Sequence, residues 1–335
     1  MANRKDVARK AGVSITVVSR VMSNTGYVSR EKREAVLRAA GELNYRPSPV
    51  ARSLQKGRTG QVLFYRGDLS SAYYLELHRG MTRYAEKLGY LVCISGGLRI
   101  ERIGELLMDG IILPTEAYAR PEYLRYLRKY HMPYVVIGYG DYVPENVYSV
   151  TVDTGLAMRE LITYLQERGH RRIAFINGNN PWAGEPRGAA FRAAMEGFYG
   201  DKTEDYVIKV PPASEDIPTN DYYRIGYNAA EEFTRRKLDA TAVICFNDET
   251  AVGFYRRALQ LGRRVPEDLS LVSFDGLVLG EYMTPALTSM DLHPFEHGKK
   301  CAGVLLDLLQ GKRPGRSHRV DFSLIERESV RLAGA

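Results

Sequence analysis

Cysteine is scarce in this chain. Cys93, Cys245 and Cys301 lie far apart among apolar neighbours and form no C-x-x-C pair. Neither a disulfide framework nor a zinc site is therefore expected, and buried free thiols in a reducing compartment are. Histidine is nearly as rare, and His78, His131, His170, His293, His297 and His318 never fall at metal-ligand spacing. No metal and no other cofactor is expected. No apolar run approaches the roughly 18 residues that a membrane span needs, so no membrane partner is expected either. The opening MANRKDVARK has no apolar stretch of the signal-peptide kind, which points to a cytoplasmic protein. Also missing are a G-x-G-x-x-G after the first expected strand, a G-x-x-x-x-G-K-S/T, a G-x-S-x-G and an H-E-x-x-H. Those absences speak against a dinucleotide enzyme, a P-loop NTPase, an α/β hydrolase and a metalloprotease.

What is present divides unevenly along 335 residues, a length that suits more than one domain. Residues 1–60 hold 13 Lys/Arg against 4 Asp/Glu, a net of +9, whereas the rest holds 34 against 36, a net of −2. A basic head on a near-neutral body is the charge pattern of a head that meets a polyanion.

The head has helical periodicity. Val7, Ala8 and Ala11 share a spacing that Gly12 can stop, and Ser14 suits an N-cap for Ile15–Met22, with Val18, Val21 and Met22 on one face. Ser29 can cap a third helix with an apolar stripe at Ala35, Val36, Ala39, Ala40 and Leu43. Two short helices joined through a glycine turn form a helix-turn-helix, whose second helix lies in the major groove of DNA. Ile15, Thr16 and Arg20 face outward on that helix. An Arg there can take a guanine edge with both nitrogens, and Ile or Thr can pack on a thymine methyl. Pro47 and Pro49 end the third helix and open a short one through Val50–Gln55. That stretch is too short to be stable alone and needs a partner helix or DNA. Gly57 and Gly60 mark a boundary.

From Gln61 onward short apolar runs alternate with helical stretches. Strands are expected at 62–65, 90–94, 110–113, 134–137, 173–176, 242–246 and 269–274, with helices at 75–88 and 154–168. Such alternation implies parallel sheets covered by helices, an α/β class in which ligands bind at the carboxyl ends of strands. Asn247 and Asp248 directly follow one expected strand and Asp275 another. Aromatics gather at the same strand ends: Tyr73, Tyr74, Tyr139 and the single tryptophan, Trp182, with Tyr222 and Tyr223 before a further helix. Sugar rings present apolar C–H faces that pack on aromatic rings, and so many aromatics lean toward a di- or oligosaccharide.

The runs DVARKAGVSITVVSRV and VSREKREAVLRAAGELNYRPSPVARSL resemble the LacI/GalR repressor family. So do GHRRIAFINGNN, AVICFNDETAVGF, RRVPEDLSLVSFDG, TPALTSMDLHPFEHGKKCAGVLLDLLQG and LIERES farther on, so that the resemblance covers nearly the whole chain. It implies a helix-turn-helix domain at 1–46, a hinge helix and linker at 47–60, and a periplasmic-binding-protein-like core at 61–335. The core would consist of an N-subdomain (61–153 and 286–313) and a C-subdomain (154–285 and 314–335), with crossovers near 153, 285 and 313.

The resemblance further implies a homodimer on double-stranded operator DNA. Leu54, flanked by Ala51 and Arg52, matches the leucine that wedges into the minor groove, and Ser29 joins the DNA-facing residues. Arg187, Asn247 and Asp275 match the family's effector-contacting Arg, Asn and Asp. The implied function is a repressor of carbohydrate-utilisation genes, not an enzyme, released from or recruited to its operator by a sugar. A nucleobase or sugar phosphate is the alternative effector, and a transport-type sugar-binding protein or an α/β enzyme the remote alternatives. The chain departs from the family at Ser23 and Val17, where Asn and Thr are usual, and in a shortened stretch from Cys93 to Asp109. That shortening implies a truncated second helix near the dimer contacts.

Overall fold

The computed structural model describes residues 2–46, 57–66, 69–96, 100–140, 146–177, 186–210 and 221–334. The chain separates into two compact units, Met1–Gly60 and Gln61–Ala335.

Among its described residues the first unit has three helices, whose ends are written in the sequence. Helix α1 (Arg4–Ala11) starts at Asn3, whose side chain accepts from the Lys5 and Asp6 N–H groups, while the Asp6 carboxylate accepts from the Asn3 N–H at 3.0 Å. This reciprocal capping box satisfies otherwise orphaned donors. Gly12 ends the helix at φ 64, a left-handed conformation that glycine adopts without penalty. Helix α2 (Ile15–Ser23) begins at Ser14, whose hydroxyl accepts from the Val17 N–H at 3.3 Å. Helix α3 (Arg30–Glu42) has Ser29 at its N-cap position, as expected, but the Ser29 side chain makes no capping hydrogen bond. Val7, Val18 and Val36 form the centre of a small core with Ala8, Val21, Ala39 and Ala40. Those residues turn inward because they recur at helical spacing, which leaves Ile15, Thr16 and Arg20 exposed on α2.

The second unit holds two six-stranded sheets. The first, in the N lobe, comprises β1 (Gln61–Arg66), β2 (Leu91–Gly96), β3 (Gly110–Pro114), β4 (Tyr134–Tyr139), β5 (Ser149–Val152) and β11 (Ser317–Val320). Its order is β11-β5-β4-β3-β1-β2, and every pairing is parallel. The second, in the C lobe, comprises β6 (Ile173–Asn177), β7 (Val207–Lys209), β8 (Ala242–Cys245), β9 (Ser270–Asp275), β10 (Thr288–Asp291) and β12 (Ser323–Ile325). Its order is β12-β10-β9-β8-β6-β7, with β12 antiparallel to β10. Strands such as Ile173–Asn177 and Ala242–Cys245 are apolar along their length because helices cover the sheet on both faces.

The remaining helices are α4 (Ala72–Ala85), α5 (Thr115–Tyr118), α6 (Pro121–Lys129), α7 (Thr154–Glu167), α8 (Pro186–Tyr199), α9 (Tyr222–Arg235), α10 (Asp248–Gln260) and α11 (Pro294–Leu309). Two pairs among them are locked by glycines. A methyl group on Gly80 of α4 would overlap the Phe295 carbonyl of α11, and one on Gly298 of α11 would overlap the Leu77 carbonyl of α4. In the C lobe Gly226 of α9 and Gly253 of α10 stand in the same relation to Thr250 and Tyr223.

The subdomain boundaries need correction at two places. Residues 288–291 pair with β9, so the second crossover follows Asp291 rather than residue 285. Residues 317–320 pair with β5, so the third follows Val320 rather than residue 313. The stretch between β2 and β3, where a parallel crossover ordinarily carries a full α-helix, holds a six-residue 3-10 helix, Ile100–Glu105. The Tyr130 ring packs against Gly104 there, where a side chain would clash with it.

Candidate functional site

The two sheets present their carboxyl ends to one another, and the polar and aromatic residues between them come from both lobes. In the C lobe, β8 runs into α10 through Asn247, Asp248 and Glu249, and β9 ends on Asp275. Asp275 has φ 107, a conformation that a side-chain-bearing residue adopts only when its surroundings force it. Gly276 follows at φ 69 with the Asp291 side chain packed where a Cβ would go. The backbone is thereby held in a sharp turn that fixes the Asp275 carboxyl at the strand end.

Arg187, in the first turn of α8, is buried at 7% exposure. Its Nη1 donates to the Phe246 carbonyl at 2.8 Å, and its guanidinium lies 3.6 Å from the Phe246 ring centre and 5.4 Å from that of Phe274. Burial, and next the nearby Asp248, push the Asp275 carboxyl well above the usual carboxylate range, an effect that Arg187 opposes and Glu249 and Asp291 reinforce. The neutral acid of Asp275 can both donate and accept a hydrogen bond, a capacity the carboxylate lacks.

Asp248 serves the fold instead. Its carboxyl accepts from the hydroxyls of Ser273 and Ser289 and from the Leu277 N–H, which ties the ends of β9 and β10 to the start of α10. Asn247 is also the N-cap of α10: its Oδ1 accepts from the Thr250 N–H at 2.9 Å and the Thr250 hydroxyl at 2.6 Å, and its Nδ2 donates to Glu249 at 3.3 Å. Capping fixes the amide at the strand end, and its Nδ2 carries a second N–H besides the one on Glu249.

The N lobe contributes rings. Ser71 caps α4 by accepting from the Tyr73 N–H at 3.2 Å, which sets Tyr73 and Tyr74 in the first helical turn. The Tyr73 ring meets that of Tyr74 edge-on at 5.9 Å and that of Tyr139, at the end of β4, at 6.1 Å. From the C lobe, Tyr222 stacks on Phe246 at 6.1 Å and 13°, and its hydroxyl acts electrostatically on that of Tyr74. Tyr222 therefore begins α9 rather than preceding it. Burial pushes the hydroxyls of Tyr73, Tyr139 and Tyr222 well above their ordinary value, so all three remain neutral donors. A hydrogen bond joins the lobes: the Ala72 N–H, at the start of α4, donates to Glu249 of α10 at 2.8 Å. A carboxylate at a helix N-terminus is favoured by the helix dipole.

Of the residues expected at an effector site, the structure brings together Tyr73, Tyr74, Tyr139, Arg187, Tyr222 and Asp275. Trp182 lies outside the described residues, as do Ala51, Arg52 and Leu54 of the expected hinge. Sequence reasoning missed Arg66, Glu116 and Glu249. The first stands at the end of β1 and the second just past the end of β3, so the strand-end rule that found Asp275 would have found both. Among the described residues no cluster of His, Cys, Asp and Glu is fit to hold a metal, and no helix is long and apolar enough to cross a membrane.

A helix-turn-helix unit with an exposed second helix, and a two-lobed core with a polar cleft at its strand ends, define a DNA-binding regulator that senses a small molecule. Residues 4–48 match the bacterial regulatory proteins of the lacI family, and residues 162–330 match the periplasmic binding protein-like domain. The HTH-type transcriptional repressor PurR of Escherichia coli O139:H28 is 33% identical over 98% of this chain and 97% of its own length. The chain therefore belongs to the LacI family and is a DNA-binding transcriptional regulator. Among solved structures, the transcriptional regulator CelR in complex with cellobiose is 28% identical, with a TM-score of 0.70 over 98% of this chain and 100% of its own. The lac repressor dimer bound to operator and the anti-inducer ONPF shares the fold at 22% identity, with a TM-score of 0.79 over 98% of this chain and 99% of its own.

Proposed function

We propose that this protein is a homodimeric repressor of carbohydrate-utilisation genes whose affinity for operator DNA is set by a sugar held between the lobes of the core. The observation that carries the reading is the cleft lining. Four tyrosines, Tyr73, Tyr74, Tyr139 and Tyr222, surround a guanidinium, Arg187, and a carboxyl, Asp275, fixed at a strained strand end. Tyrosine rings take the apolar faces of a sugar, and the hydroxyls, guanidinium and carboxyl take its hydroxyl groups. The relative solved with cellobiose supports the same class of ligand. The ligand acts through its different affinity for two arrangements of the lobes, and it changes operator affinity by as much as operator changes its own. Ile15, Thr16 and Arg20 read bases in the major groove, Ser29 and the basic head contact phosphate, and Leu54, with Ala51 and Arg52, enters the minor groove between half-sites.

A second reading, a nucleobase, draws on the flat pair of Tyr222 over Phe246 and on the PurR relative. One experiment separates the two. Thermal unfolding of the full chain is followed against saccharides, sugar phosphates and nucleobases. At a hundredfold excess over Kd a true ligand adds about 2.7 kcal/mol. The expected result is a raised midpoint with a saccharide and a changed operator affinity with that same compound. A shift with nucleobases alone overturns the carbohydrate reading and keeps the regulator.

A further inference from the structure

Arg187 and Asp275 both belong to the C lobe. The N lobe faces them with a guanidinium and a carboxylate of its own. Arg66 ends β1 with its side chain at 12% exposure, lies with its guanidinium 3.9 Å from the Tyr74 ring centre, and donates to the Tyr74 hydroxyl. Its Nη1 stands 3.5 Å from Oε1 of Glu116, the residue just past β3. Arg66 also acts electrostatically on Tyr139 and Tyr222, which places it on the cleft and not on the outer surface of the lobe. These contacts leave two groups wanting. Arg66 Nε and Glu116 Oε2 are both buried, and neither has a hydrogen-bond partner. A buried donor and a buried acceptor without partners are costly, and a ligand that accepts from one and donates to the other would satisfy both.

We propose that Arg66 and Glu116 form a second polar subsite of the cleft, one that takes the hydroxyls of a second sugar ring. The effector is then a neutral ligand of at least two sugar units. One ring is held by Arg187 and Asp275 and the next by Arg66 and Glu116, with the hydroxyls of Tyr74 and Tyr222 between them. This inference rests on the carbohydrate reading above. Charge at the new subsite fits a neutral ligand: the Arg66 guanidinium and the Glu116 carboxyl stand 3.5 Å apart and offset one another, so no anion is needed to cancel either. Chemistry argues for a sugar ring, because neighbouring hydroxyls present the alternate acceptor and donor that Arg66 Nε and Glu116 Oε2 require.

The test uses the full chain and titration calorimetry with cellobiose, maltose, lactose, trehalose and sucrose, and with glucose, galactose and fructose. The wild type is expected to bind one disaccharide at least tenfold tighter than either of its component monosaccharides. Arg66→Met and Glu116→Gln should each weaken that disaccharide at least tenfold while changing monosaccharide binding less than twofold. Asp275→Ala should weaken both. Glu116→Gln keeps the shape of the side chain, so it carries the test should Arg66→Met fail to fold, and the unfolding midpoint of each unliganded variant checks this. Equal losses on both sugar classes, or none, overturn the subsite while the carbohydrate reading stands. No saccharide binding by the wild type overturns the carbohydrate reading and the subsite with it.

Discussion

Asp248 and His297 pull the acid stability of the core in opposite directions. His297, wholly buried in α11 with Nε2 donating to the Val150 carbonyl at 3.0 Å, is held down by burial to about 4. As pH falls from 6.5 toward 4 the unfolded chain takes a proton that the folded histidine refuses, so this residue makes the fold less stable in acid. Asp248 is pushed by burial up to about 6 despite three hydrogen bonds. The folded carboxyl then keeps a proton the unfolded chain has released, which favours the fold as pH drops through the same window. The two slopes oppose each other in the wild type. His297→Gln should expose the Asp248 slope and improve stability at pH 4.5 relative to pH 7, compared with wild type, by up to roughly 3 kcal/mol. Urea unfolding at both pH values reads this, and parallel wild-type and variant profiles would remove His297 from the account. Asp275→Ala should abolish the response to the effector and leave operator affinity intact, measured by DNA binding with and without ligand. On α2, Arg20→Ala should cost about 1–3 kcal/mol of operator binding and relax one base position, read by selection from random sequence. The residue scale was legible where a side chain ended an apolar strand, as at Asp275. Asn247 occupies the same kind of place and caps its own helix as well, because a residue that starts a helix and accepts hydrogen bonds is drawn to capping.

Among elements, the paired helices decide where the rings stand. Gly80 and Gly298 let α4 and α11 touch backbone to backbone, and Gly226 and Gly253 do the same for α9 and α10. Tyr73 and Tyr74 start the first of these helices and Tyr222 starts the third, so the spacing of the helix pairs fixes the aromatic lining. Gly226→Ala should destabilise the core by about 1–3 kcal/mol through overpacking, seen as a lowered urea midpoint, and should weaken effector binding besides. A neutral effect would mean that the helices can part without cost. Such pairs were invisible in the sequence, where a glycine within a helical pattern counts only as a weak breaker. The long apolar strands and the whole three-helix head were legible, since their periodicity and caps lie within a few residues of each other. The short strands were not. Thr288–Asp291 is largely polar and yet buried, because the Ser289 hydroxyl donates to Asp248 and the Thr288 N–H to Ser329. Its backbone pairs with β9 and β12, and side-chain hydrogen bonds rather than hydropathy let it be buried, so the misplaced crossover near 285 followed.

For the whole molecule, the basic head and the near-neutral core divide the work of holding DNA and sensing a ligand, a division already visible in the charge count. Leu54→Ala should weaken operator binding more than binding to unrelated DNA, and equal losses in a competition assay would sink the wedge. The two lobes of the core are joined by the Ala72 N–H, which donates to Glu249. Glu249→Gln should loosen the closed form and reduce effector affinity several-fold with little change in the unfolding midpoint of the unliganded protein. Contacts that shut the cleft also govern how fast it can respond. With Tyr73, Tyr74, Tyr222 and Arg187 all under a tenth exposed, a ligand enters only during the moments when the lobes part. The observed association rate should therefore level off at high ligand concentration, at the opening rate of the lobes, and the promptness of the switch becomes a property of the clasp rather than of the metabolite supply.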